Sequence, residues 1–251
     1  MLYLFLQFLF ERSVHMKVQD WRAGFKVIYP VLLGYIPLGL ACGMLLHDAG
    51  FSTLAVLLMS LLVFAGASQF MAASMVAMGA TTPAIIIMVF FLNLRHSLMS
   101  SSMSNRVKKS SIPFILLFSH TLADEAYAVN YNQFQNHEWS EQKALAANLL
   151  AYLTWCISTA IGGVLGSALV VNTVIMNYIL ISMFIYLLVS QFVSKVVVFV
   201  GLFSGVLSVI LMLLLKHNIA LVIAAILASF VGYFIEDYLA KKKIKGGEWI
   251  K

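Results

Sequence analysis

The sequence predicts an all-α, polytopic transmembrane helix bundle of seven to eight spans, and three observations carry that expectation. First, 62% of the 251 residues are hydrophobic and 10% are charged, whereas an ordinary soluble domain has roughly 45–50% apolar and about 25% charged residues. Sixteen Lys and Arg with ten Asp and Glu cannot coat a soluble surface of this size. The same figures exclude disordered, collagen-like, coiled-coil and disulfide-scaffold chains. Second, the charges are confined. Between Val27 and Ser104 only Asp48 and Arg95 are charged, between Ala144 and Leu215 only Lys195, and between His217 and Ile235 none. Third, the apolar stretches are continuous rather than alternating, which selects helices over a β-barrel.

A spanning helix needs about 20 apolar residues at ~1.5 Å each. Spans are therefore expected at 27–46, 54–79, 83–104, 112–130, 144–170, 174–194, 196–215 and 219–239. Residues 1–26 form an N-terminal cytoplasmic or interfacial segment, 27–240 the transmembrane transport domain and 241–251 a basic cytoplasmic tail. Leu2–Phe10 is too short to span and has no small-residue cleavage site after it, so the start is read at either Met1 or Met16. In the second segment, Ala65-Gly66-Ala67-Ser68 suits an uninterrupted helix poorly, because Gly costs up to ~1 kcal/mol in a helix interior. A discontinuous helix near 64–70 is expected there, tolerated at membrane depth where it lines a cavity. Gly79-Ala80-Thr81-Thr82-Pro83 and Asn172-Thr173 signal turns, and 131–143 reads as a polar aqueous loop. Cys42 and Cys156 fall inside spans and read as small core residues.

Net charge is +6, held at the ends and in one loop. Lys17, Arg22 and Lys26 precede the first span; Arg106, Lys108 and Lys109 follow the third; Lys241, Lys242, Lys243 and Lys245 follow the last. No basic patch is interleaved with exposed aromatics, so nucleic acid is not an expected partner. Clustered Lys and Arg mark the cytoplasmic side, and here they conflict with the span count. Three full crossings from a cytoplasmic N-terminus would leave Arg106, Lys108 and Lys109 outside. Either that loop breaks the rule, or 54–79 is re-entrant; eight spans with both ends cytoplasmic is the working topology, with seven as the alternative.

An internal repeat is also legible. SLLVFAGASQF at 60–70 and SMFIYLLVSQF at 182–192 share their first Ser and final Ser-Gln-Phe. Gly39-xxx-Gly43 matches Gly162-xxx-Gly166, and Arg95-His96 matches Lys216-His217, in the same order. Duplicated halves, parallel or inverted, explain this pattern; chance likeness between apolar segments is the alternative.

Polar groups at the bilayer centre cost a few kcal/mol each and so mark candidate sites. Arg95 offers a fixed positive fork for a carboxylate, and Asn93, Ser68 and Gln69 are the other candidate substrate-binding residues. His96 titrates near neutral pH, and with His120, Asp124 and Glu125 forms a candidate proton-coupling set. His120 and Asp124, four apart, would share one face of a helix. The bland alternatives are that Arg95 marks an interface and that Asp124 and Glu125 meet the headgroups. Glu236 and Asp237 read as interfacial, and Ser190-Gln191 as packing. Phe64, Met71, Met75 and Phe90 could line an apolar pocket. Gly66-Ala67-Ser68 lacks the glycine a nucleophile elbow needs after its serine. No HExxH, CxxC or P-loop occurs, so neither an enzyme, a metal nor another cofactor is expected. A passive channel or an assembly subunit remains as an alternative to a transporter.

Four of these motifs are similar to the AzlC family: Gly34-Tyr35-Ile36-Pro37-Leu38-Gly39, Phe64-Ala65-Gly66-Ala67-Ser68-Gln69-Phe70, Asn93-Leu94-Arg95-His96 and Asp124-Glu125-Ala126-Tyr127-Ala128. The resemblance runs from about residue 22 to 240. It implies a multi-pass protein of the bacterial inner membrane that exports branched-chain amino acids such as L-valine. It also implies a small partner membrane protein of the AzlD type. Ala123 stands where members often have Thr.

Overall fold

The computed structural model describes residues 16–108, 110–136, 138–168, 195–215 and 219–245, with positions 178, 181, 182, 185 and 189. Among these residues all regular structure is α-helical. Two compact units divide the chain, Met1–Leu180 and Ile181–Lys251.

In the first unit α1 spans Val18–Asp48, α2 Thr53–Leu62, α3 Gly66–Ala77, α4 Thr82–Val107, α5 Ile112–His120, α6 Asp124–Asn136 and α7 Glu141–Ala168. α1, α4 and α7 are long and apolar enough to cross a membrane. Their ends carry the expected punctuation. The Lys17 amide donates to the Asp20 carboxylate at 2.8 Å before α1, and Gly50 (φ 95°) reverses the chain after it. Ser52 caps α2, accepting from the Ala55 amide at 3.2 Å. Gly79 (φ 72°) turns the chain between α3 and α4, and Pro opens both α4 and α5.

The centre of the unit is the packing of α1 on α7, and it depends on residues with almost no side chain. Ile28, Leu46 and Cys42 on α1 are wholly buried, as are Ala144, Ala147, Ala151 and Thr159 on α7. A Cβ added at Gly39 would meet Ser158 Oγ at 2.6 Å, and at Gly24 the Ala147 amide nitrogen at 2.8 Å. At Gly43 it would collide with the Thr159 carbonyl, and at Gly162 with that of Leu40. Small residues of this kind let helix backbones touch where hydrophobic burial between helices contributes little. The two Gly-xxx-Gly motifs singled out as repeat landmarks therefore face each other. Contacting residues rise together along both helices, from Gly24 with Ala147 to Gly166 with His47. Hence α1 and α7 run parallel.

That direction fixes the course of everything between them. α2 starts beside the C-terminal end of α7, where Thr53 Oγ1 donates to the Gly163 carbonyl at 3.5 Å. It runs antiparallel to α7 as far as Tyr152, whose hydroxyl donates to the Leu61 carbonyl at 2.8 Å. There the helix stops at Val63-Phe64-Ala65, with Phe64 at φ 42°. α3 turns back toward the end that α2 came from, so that Gln69 pairs with Ser60 across the turn at 2.7 Å. α4 then runs the full length of the unit: its Arg106 lies over the Phe134 ring of α6, 5.6 Å from the centroid. α5 enters from the other end, where Ser110 Oγ donates to the Glu141 carboxylate at 2.5 Å. It breaks at Thr121-Leu122-Ala123, level with Tyr152, whose ring meets that of His120 at 5.6 Å. α6 returns to its starting end, with Asn130 bonded to Asn148 at 2.8 Å and to the Ala144 carbonyl at 3.3 Å.

Segments 54–79 and 112–130 are thus two opposed re-entrant hairpins, not crossings. The first correction answers the expected discontinuity near 64–70: the break falls at 63–65 and the chain reverses there. The second replaces the expected span at 112–130. Its cause is also the break, since nine residues of α5 reach only about 13 Å at 1.5 Å per residue. α6 extends to Asn136 and α7 starts at Glu141, so most of the expected 131–143 loop is helical. With two hairpins instead of two crossings, Lys17, Arg22, Lys26, Arg106, Lys108 and Lys143 all lie at one end of the unit. The conflict over Arg106 and Lys108 disappears. α1 begins within the stretch assigned to the N-terminal segment.

In the second unit α8 spans Lys195–Leu215 and α9 Ile219–Lys245, close to the expected spans at 196–215 and 219–239. They pack on each other where a Cβ on Gly232 would meet Val200 Cγ2 at 2.8 Å. Of the expected span at 174–194 only positions 178, 181, 182, 185 and 189 are described; the landmarks Ser190, Gln191, Lys216 and His217 lie outside the described residues, as does Asn172-Thr173.

Two measurements check this layout. Gly43→Ala should lower stability by about 1–3 kcal/mol through overpacking, whereas Gly34→Ala, with nothing within 4 Å of its Cβ, should not lower the melting temperature and should raise it slightly through helix propensity. Single cysteines replacing Ser52 and Thr81 should react with an impermeant thiol reagent from one face of the membrane. Those replacing Ser110 and Glu138 should react from the opposite face. Labelling of Ser52 and Thr81 positions from different faces would mean that 54–79 crosses.

Candidate functional site

The tips of the two hairpins meet midway along the unit, and each break exposes backbone groups that need partners. In apolar surroundings an unpaired carbonyl or amide costs several kcal/mol. At the first tip the Leu61 carbonyl accepts from Tyr152 OH at 2.8 Å and pairs with His120 Nε2 at 2.9 Å. At the second, Asn148 Nδ2 donates to the Phe118 carbonyl at 3.4 Å, while Thr121 Oγ1 adds a bond of 2.7 Å to the Leu117 carbonyl, which the Thr121 amide already pairs. His120 therefore ties one tip to the other.

Behind the first tip lies a wholly buried polar chain. Trp155 Nε1 donates to Gln69 Oε1 at 2.7 Å, Gln69 Nε2 donates to Ser60 Oγ at 2.7 Å, and Ser60 is 2.7 Å from Thr159 Oγ1. Gly66 leaves room for Trp155, since a Cβ there would meet its ring at 2.9 Å. Gln69 is thus placed where its amide is occupied on both sides, holding α2, α3 and α7 together.

Asn93 and Arg95 lie two residues apart on α4, about 200° around the helix from each other. Each consequently reaches a different hairpin. Ser68 Oγ, in the first turn of α3, donates to Asn93 Oδ1 at 2.5 Å. Arg95 Nη1 meets Asp124 Oδ2, at the start of α6, at 2.8 Å. Both α3 and α6 begin here, so their first-turn amides have no carbonyl one turn back in their own helix and their positive dipole ends face the middle of the unit. Glu125 accepts from Tyr35 OH at 2.7 Å, which links α6 to α1. Arg95 and Asp124 side chains are 22% and 27% exposed, neither sealed nor open. The buried Arg95 Nε has no acceptor among the described residues.

The structure therefore brings Ser68, Asn93, Arg95, Asp124 and Glu125 to one level between the tips, with His96 half-buried beside Arg95 on α4. Of the apolar candidates, Phe64 and Met75 are buried. Phe64 packs edge-on against Tyr152, with centroids 4.8 Å apart. Phe90 instead belongs to an exposed apolar face with Ile86, Leu94 and Leu98. Among the described residues no three His, Cys, Asp or Glu side chains cluster as a metal site would require. Sequence reasoning missed Tyr35, Ser60, Tyr152, Trp155 and Thr159. The signal was available for the last three, which recur at i, i+3 and i+7 and so stripe one face of an otherwise apolar helix.

Comparison with known proteins follows the same motifs. The AzlC protein family matches residues 30–169, which hold the whole of this site. The chain belongs to the AzlC family. An uncharacterized membrane protein of Archaeoglobus fulgidus is 35% identical over 142 residues, 57% of this chain and 61% of that protein. The branched-chain amino acid transport protein AzlC of Bacillus subtilis is 29% identical over 161 residues, 61% of this chain and 62% of its own length. Inner membrane protein YgaZ of Escherichia coli is 29% identical over 142 residues, 55% of this chain and 58% of its own. The chain covers about three fifths of the length of each of these relatives. No solved structure matches. This AzlC-family chain is accordingly a membrane protein.

Gln69→Ala should leave Trp155 Nε1 unpaired and Ser60 bonded only to Thr159, and about 1–3 kcal/mol of stability should be lost for the buried orphan. Thermal unfolding in detergent measures this. An unchanged melting temperature would show that the Ser60–Gln69–Trp155 chain does not hold the tip.

Proposed function

We propose that this AzlC-family protein is a multi-pass transporter of the bacterial inner membrane that exports branched-chain amino acids such as L-valine. The carrying observation is that two hairpin tips and α4 gather Ser68, Asn93, Arg95 and Asp124 at mid-depth. Broken helices of this kind supply dipole ends and backbone groups to a substrate in transporters built on re-entrant or discontinuous elements. An aliphatic amino acid needs a few polar groups for its backbone and an apolar wall for its side chain. Arg95, Asn93 and Ser68 suit the first need; Phe64, Met71 and Met75 suit the second. Gln69 serves the site by holding the tip that carries Ser68. His96, His120, Asp124 and Glu125 are the groups through which transport is coupled to protons.

The printed name of the Bacillus subtilis relative supports the choice of substrate. Sidedness follows from charge: Lys17, Arg22, Lys26, Arg106, Lys108 and Lys143 share one end, which the positive-inside rule makes cytoplasmic. The small AzlD-like subunit is inferred from the family resemblance.

Efflux of labelled L-valine from proteoliposomes, with and without a co-purified small subunit, tests the proposal. Arg95→Lys keeps the charge but loses the planar fork, and efflux should fall at least about tenfold. Arg95→Ala should abolish it. Wild-type efflux in Arg95→Ala would place the substrate site elsewhere, and full activity without the small subunit would remove the partner.

A further inference from the structure

We propose that the Arg95–Asp124 ion pair is a receptor for a zwitterion, which enters by dividing it: the amino acid's carboxylate takes Arg95, its ammonium takes Asp124, and a proton on Asp124 expels it. This rests on the amino-acid reading above and adds the mechanism of selection and coupling.

Charge accounting supports it. Arg95 Nη1 and Asp124 Oδ2 are 2.8 Å apart, so each neutralises the other. Separating them without replacement would strand two ions in poorly solvated surroundings. A carboxylate alone would satisfy Arg95 and strand Asp124, and an amine alone would do the reverse. Only a ligand with both charges re-pairs both partners at no change in net charge. Arg95 is also under-used, because its buried Nε has no acceptor among the described residues. A guanidinium holding one carboxylate oxygen through Nη1 can present Nε to another acceptor.

The surrounding groups leave Asp124 as the exchanging carboxylate. Glu125, its neighbour on α6, accepts from Tyr35 OH of α1 at 2.7 Å. Tyr127, farther along α6, is 3.0 Å from Ser102 Oγ of α4. His120 of α5 is engaged by the Leu61 carbonyl of α2 at 2.9 Å, and Tyr152 of α7 donates to the same oxygen. His96 sits beside Arg95 on α4, half-buried.

Coupling follows. A protonated Asp124 has no charge to offer the ammonium, so proton and amino acid compete for one carboxylate. A proton arriving from the outer face releases the amino acid, and the amino acid arriving from the cytoplasm releases the proton. The result is one-for-one antiport, which drives export.

Calorimetric titration of the purified full-length protein in nanodiscs tests this with three probes: L-valine, isovalerate (which lacks the ammonium) and isobutylamine (which lacks the carboxylate). Wild-type protein should bind valine at least about 30-fold more tightly than either analogue. Valine affinity should fall by about tenfold per pH unit on the acid side, with one proton released per valine bound. In Asp124→Asn the pH dependence should vanish and the preference for valine over isovalerate should shrink to within about threefold. An Asp124→Asn protein that keeps both the preference and the pH profile would overturn the proposal. If that variant does not fold, proton release by the wild type on the acid side, where Asp124 is protonated before valine binds, decides, read in two buffers of different ionisation heat; valine binding there without it overturns the proposal and leaves the amino-acid reading standing. A wild type that binds none of the three probes removes both.

Discussion

Everything in the first unit answers to one constraint: a peptide chain broken in the middle of an apolar layer must find partners for the groups it exposes. The first break leaves the Leu61 carbonyl without its helical donor, and Tyr152 and His120 supply two. The second break leaves the Phe118 carbonyl, and Asn148 answers it. These partners come from α5 and α7, so closing the hydrogen-bond account of one hairpin attaches it to its neighbours. The tips are thereby held where a continuous helix could not place anything polar.

The rigid support for the tips is the close parallel contact of α1 with α7. Glycine at 39, 43 and 162 removes the side chains that would hold the two backbones apart. A tight pair leaves the polar face of α7, with Tyr152, Trp155 and Thr159, directed at the first hairpin. Gly66 repeats the device on a smaller scale, since the Trp155 ring occupies the space its side chain would need. The wholly buried chain from Thr159 through Ser60 and Gln69 to Trp155 is then fully paired, which is the condition under which a buried polar network rigidifies rather than destabilises.

α4 joins the two halves of the site, and its Asn93-Leu94-Arg95 sequence has a geometric reason. Residues two apart on a helix point to nearly opposite sides, so a single helix can hold Ser68 on one flank and Asp124 on the other. Movement of either hairpin against α4 would alter both contacts at once.

Much of this was legible in the chain. Composition and the spacing of charges determined a helical membrane protein and the positions of α1, α4, α7, α8 and α9, because lipid leaves helices as the economical way to pair a continuously apolar backbone. Ala65-Gly66-Ala67-Ser68 announced the first break, and the rarity of polar residues singled out Ser68, Asn93, Arg95 and Asp124. Nothing in the local sequence of 112–130 announced the second break, because Thr121-Leu122-Ala123 is compatible with a helix until the partners on α7 are known. Likewise, hydropathy registers length and not direction, so a re-entrant hairpin and a crossing look alike. Tertiary structure alone decided that Gln69 is occupied by Ser60 and Trp155, that the two Gly-xxx-Gly motifs are one interface, and that Arg95 pairs with Asp124. Those facts depend on contacts between residues far apart in sequence, which exist only once the helices are packed.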